Sequence, residues 1–133
     1  MNKFYLRVAL RAGYRCEHCH APERVFNFAF DVEHICPQSL GGLDVLENLA
    51  LACESCNLYK GNVTTVWDEE SQQIVSLFHP RQNTWSEHFE WDNSIGMLQG
   101  KTAVGRVTVQ RLRFNSDFQC RARQLWLQMG LFP

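Results

Sequence analysis

The chain has 133 residues, 45% of them hydrophobic and 20% charged, which fits one globular domain or a small domain with an extension and excludes a disordered or fibrous protein. No apolar run approaches the ~20 residues of a membrane span. The formal net charge of -1 hides an uneven spread: residues 62–100 hold one basic against six acidic side chains and residues 101–133 six basic against one, so the basic C-terminal third could face a polyanion.

In chain order, residues 3–12 place Phe4, Val8 and Arg11 on one stripe beside Leu6 and Leu10, which predicts a short helix stopped at Gly13. This segment carries Lys3, Arg7 and Arg11 and has no uninterrupted apolar stretch, so no signal peptide is expected. Residues 26–34 alternate Phe26, Phe28, Phe30 and Val32 against Asn27, Ala29 and Asp31, the period of a strand. Cys36-Pro37 and Gly41-Gly42 predict a long loop, Leu49–Ala52 a short strand, and Glu54–Lys60 a helix stopped by Gly61. Beyond Asn62, strands are expected at Ile74–Phe78 and within Glu87–Leu98, the latter turning at Asp92-Asn93-Ser94. Thr102 can cap a helix to about Arg113, although Val107-Thr108-Val109 equally suits a strand. Ser116 caps a final helix expected to bury Phe118, Ala122, Leu125, Trp126 and Met129 on one face, closed by Gly130.

Four of the six cysteines form two C-x2-C pairs, Cys16/Cys19 and Cys53/Cys56. With no export signal the expected compartment is the reducing cytoplasm, where metal binding is favoured over disulfides. Each short loop aims two thiolates at one point, and four thiolates close the tetrahedral shell of a structural Zn2+. His18 and His20 flank the first pair and are the alternatives to a cysteine ligand. Cys36 and Cys120 lack partners and read as small buried apolar residues, and Trp85, Trp91 and Trp126 as core. The spacer of 33 residues exceeds the roughly 15–20 of common zinc ribbons, so a whole substructure folds between the pairs.

That spacer reads Val32-Glu33-His34-Ile35-Cys36-Pro37, then Gly41-Gly42, then Glu47-Asn48-Leu49, and runs into Cys53-Glu54-Ser55-Cys56-Asn57-Leu58-Tyr59-Lys60-Gly61. Over residues 16–61 it resembles the HNH endonuclease family in its cysteine-bearing form, with Asn at the last motif position. Leu77-Phe78-His79-Pro80-Arg81, Trp85, His88-Phe89, Gly100-Lys101-Thr102 and Gly105-Arg106 are similar, more loosely, to the C-terminal extension of a bacterial subgroup. The resemblance implies an α+β protein with a small ββα-metal (His-Me finger) core, structural zinc knuckles and a mixed strand/helix extension. Residues 1–62 would form the core with its N-terminal helix, and 63–133 an extension packed on it as one compact unit.

The resemblance also implies roles: His34 as general base, Asn48 as the residue bracing the loop, and Glu33 with Asn57 as ligands of a catalytic divalent ion. Asp31 lies on the strand face of Glu33 and could share or take its role. Lys60, three residues after Asn57 on the helix, could touch a phosphate, while Asp44 and Glu47 are expected to face solvent. Phosphodiester hydrolysis needs a nucleophile made near neutral pH and stabilisation of the departing oxygen. A neutral imidazole accepts a proton from water, its unperturbed pKa being about 6.5, so activity is expected to fall below about pH 6. A cation held by oxygen donors supplies the rest, and such donors suit Mg2+ or Mn2+. The expected function is cleavage of DNA, double-stranded, by a monomer that nicks or a homodimer that cuts both strands, with no membrane partner. The alternative is a non-catalytic zinc-stapled nucleic-acid-binding domain.

Overall fold

A computed structural model describes all 133 residues. At its centre β1 (Asp31–His34) and β2 (Leu49–Ala52) pair antiparallel, with Asp31 opposite Ala52 and His34 opposite Leu49. All four β2 residues are buried, because α1 (Tyr5–Arg11) and α2 (Glu54–Lys60) pack against the hairpin and leave this strand no solvent face. Its unbroken Leu-Ala-Leu-Ala run is the sequence signature of such a strand. Removing Leu49 and Leu51 wholly from water stabilises the fold by about 1.5–3 kcal/mol each.

Two more antiparallel hairpins follow: β3 (Thr65–Asp68) with β4 (Gln73–Ser76), and β5 (Phe89–Trp91) with β6 (Leu98–Gly100). The one-turn helix α3 (Trp85–His88) leads into β5, and α4 (Ala103–Arg111) and α5 (Asp117–Gln128) complete the chain. Thr102 and Ser116 cap α4 and α5 by accepting from Gly105 N–H and Gln119 N–H, as their sequence positions predict. One apolar cluster runs from Val8, Leu49 and Leu51 through Phe78 and Phe89 to Phe114 and Trp126. No helix is long and apolar enough to cross a membrane.

Four expectations change. The strand over 26–34 is confined to Asp31–His34: β2 offers only four partners, and Glu23 takes the Phe30 N–H on its buried carboxylate at 2.7 Å. Phe28 is left exposed, so the alternation of phenylalanines marks an irregular segment. Residues 107–109 belong to the helix that Thr102 predicts, but a further strand, not expected from the sequence, forms at Thr65–Asp68. On α5 the buried face is centred on Arg123 and Trp126, while Phe118, Leu125 and Met129 are exposed. Arg123 can be buried because its guanidinium donates to Gly96 O at 2.6 Å and Phe114 O at 2.9 Å. Cys36 and Cys120 are half-buried rather than core residues.

Candidate active site

The cysteine pairs meet. Cys16, Cys19, Cys53 and Cys56 are buried with their four sulfurs within 4.8 Å of one another, and Cys19 Sγ lies 3.7 Å from Cys53 Sγ. Bonds of about 2.3 Å at tetrahedral angles put sulfurs about 3.8 Å apart, so the four could hold a zinc ion. Without a metal the Cys56 thiol is pushed well above its ordinary pKa, first by hydrogen bonds to Cys16, Cys19 and Cys53 and then by burial. A divalent cation reverses that order by binding the thiolates. The first knuckle docks on β2, Glu17 N–H donating to Leu51 O at 2.8 Å and Glu17 Oε2 accepting from Leu51 N–H at 2.9 Å. Cys53 caps α2, its sulfur accepting from Cys56 N–H.

Neither flanking histidine faces the cluster as a ligand. His20 stacks on Trp85 with ring centroids 3.8 Å apart, and burial, then Arg15 and His18, hold its pKa down at about 4. His18 is fully buried and pairs through Nε2 with Glu33 Oε1.

Glu33 therefore departs from the expected ligand geometry. It faces inward from β1 and is 6% exposed, with Oε1 on His18 and Oε2 3.3 Å from Lys60 Nζ. Burial alone would raise its pKa, but His18 and then Lys60 outweigh it and hold the carboxyl below its usual range. Lys60 is equally enclosed, at 2% exposure, and also donates to Ile35 O at 3.1 Å. Its ammonium lies under the strand, held between the Glu33 carboxylate and the Ile35 carbonyl. The carboxylate that does stand beside Asn57 is that of Asp31, its Oδ2 3.1 Å from Asn57 Nδ2.

His34 and Asn57 line one polar cleft of about 370 Å3 with Pro37, Gln38 and Asn62, and Glu33 forms part of its wall. His34 Nε2 lies 3.0 Å from Asp44 Oδ1, a partner that the sequence reading left in solvent. Asn48 braces the loop as expected from the resemblance: its Oδ1 accepts from Cys36 N–H, and its Nδ2 donates to the carbonyls of Cys36 and Leu43. Behind this turn Arg11 of α1 donates to the carbonyls of Leu46 and Leu49.

Of the basic C-terminal residues, Arg106 is paired with Asp68 and Glu70 and Arg123 is buried. Lys101, Arg111, Arg113 and Arg121 are exposed, and Arg113 stacks over the Tyr59 ring of α2 at 4.3 Å. The family model described as HNH endonuclease matches residues 16–63, the segment that carries both cysteine pairs and the cleft. Comparisons with curated proteins and with solved structures return no match.

Proposed function

We propose that this HNH-type segment makes the chain a metal-dependent DNA endonuclease in which His34 is the general base. The observation that carries the reading is the shared cleft of His34 and Asn57, with the Asp31 carboxylate 3.1 Å from the Asn57 amide at its edge. The donor set fits a hard cation: a half-turn of the Asn57 amide presents its oxygen next to a carboxylate oxygen, with room for water and phosphate beyond. On this reading Asn57 and Asp31 hold the Mg2+ or Mn2+, and Glu33 is the charge beneath the site. Bound there, the ion neutralises the scissile phosphate and the departing oxygen. His34 withdraws a proton from water, and Asn48 fixes the loop that carries the base's surroundings. The four cysteines hold a structural zinc. The exposed basic residues near α2 contact phosphates, so binding is expected to weaken steeply with salt.

The test is relaxation of supercoiled plasmid with Mg2+ or Mn2+, beside a chelator control and Asp31→Asn. Nicked circles are expected with metal and none with chelator. Asp31→Asn is expected to lose at least the roughly 10–100-fold that even outer-shell partners of a metal cost, partly restored by more metal. Undiminished nicking by Asp31→Asn would return the ligand role to Glu33. The commitment of Glu33 to His18 and Lys60 favours a second reading, a domain that binds nucleic acid without cutting it. Intact plasmid in every lane, with DNA still retarded on a gel, identifies that reading.

The zinc has a separate readout. Purified protein is expected to carry about one tightly held zinc per chain, and Cys53→Ser to lose it together with cooperative unfolding, measured by metal analysis and circular dichroism. Zinc-free protein that unfolds cooperatively would count against a structural ion.

A further inference from the structure

The loop between β1 and β2 is tied so that one acidic side chain meets the base. Asn48 Nδ2 holds the carbonyls of Cys36 at 3.0 Å and Leu43 at 2.9 Å. Gly42 lies so close beneath Cys36 that a Cβ on it would stand 1.8 Å from the Cys36 carbonyl oxygen, so only glycine fits. Leu43, the residue before Asp44, is itself 67% exposed, and no apolar burial of its side chain draws the loop here. Polar ties at Cys36 and Leu43 set its course, and they deliver Asp44 Oδ1 to 3.0 Å from His34 Nε2.

An ionised carboxylate only accepts hydrogen bonds, so a neutral His34 on Asp44 carries its proton on Nε2. The lone pair is then on Nδ1, which has no hydrogen-bond partner in the protein and is not sealed from solvent. We infer that Asp44 is a positioning residue that fixes His34 as the Nε2–H tautomer and leaves Nδ1 to take the proton from the attacking water. This rests on the reading of His34 as the base. In the step, water gives its proton to Nδ1 and the resulting hydroxide forms a bond to phosphorus. The bond from phosphorus to the leaving oxygen breaks, and that oxygen takes a proton from solvent. The Asp44 carboxylate meanwhile faces the imidazolium that has formed.

The experiment combines the ring 15N shifts of His34, assigned by comparison with His34→Ala, with plasmid kinetics of Asp44→Ala. Wild type is expected to show the Nε2–H pattern. Asp44→Ala is expected to populate both tautomers and to lower kcat about 10- to 100-fold at unchanged KM, less than the roughly 10⁴-fold of a buried His–Asp pair. Melting temperature and zinc content are expected to stay at wild-type values. An Nδ1–H pattern in wild type overturns the inference, as does Asp44→Ala with unaltered tautomer and kcat. If wild type does not nick at all, the nuclease reading fails and the base assignment with it, while the tautomer still decides whether Asp44 holds the ring.

Discussion

His34→Ala is expected to lower plasmid nicking by about 10²–10⁴-fold, the span that general-base catalysis contributes. The loss belongs in kcat, because the alanine leaves the Asn57 amide and the exposed basic residues in place. The fold should survive: the His34 side chain is 23% exposed and its one side-chain bond is to Asp44 on the surface, so stability should move by no more than about 0.5 kcal/mol. His34→Ala thus separates chemistry from folding, with a melting curve and zinc content like the wild type beside a nearly inactive enzyme. Equal nicking by both proteins would point to another base and remove His34 from the mechanism.

The parts of this site that were legible in the sequence are those set by short spacings. Two residues between cysteines put both sulfurs on one loop, and Asn57 directly follows Cys56 on α2, a rotation of about 100°, so one residue faces the cluster and the other the cleft. β2 was legible because a strand covered on both faces is apolar throughout. What stayed hidden depends on partners brought together by folding. Glu33 reads as a ligand until His18, fifteen residues earlier and inside a knuckle, turns inward to meet it. Lys60 reads as a surface cation because nothing local shows that the carbonyl of Ile35 lies above its ammonium. Asp44 reads as solvated until Asn48 ties Leu43 and Cys36 together. Arg123 follows the same rule, since a buried arginine is decided by the two carbonyls that wait for it. The phenylalanines of 26–30 mislead in the opposite sense: their alternation is local, and the edge that could have paired with them ends at Ala52.

Lys60→Met is expected to cost about 3–5 kcal/mol, the penalty for removing one partner of a buried ion pair. Methionine fills the space but leaves Glu33 with only His18, at a position 6% exposed, and it frees the Ile35 carbonyl at the exit of β1. In a protein whose total stability is of order 5–15 kcal/mol, that is a drop of roughly 10–20 °C in Tm. The double change Glu33→Gln with Lys60→Met should recover part of it, because no uncompensated charge then remains buried. The pH dependence follows from the depressed Glu33 pKa. Its folded value lies below its unfolded one, so its stabilisation is present above the unfolded pKa and lost as pH falls through the folded value. Wild type should therefore lose stability on acidification below the usual carboxylate range, and the double variant should show a shallower acid limb in urea titrations. A surface lysine bound for phosphate predicts the reverse on every count: little change in Tm, no rescue by Glu33→Gln, and a loss confined to DNA affinity and its salt slope. The same two variants thus decide whether the charge beside β1 supports the fold or a bound polyanion.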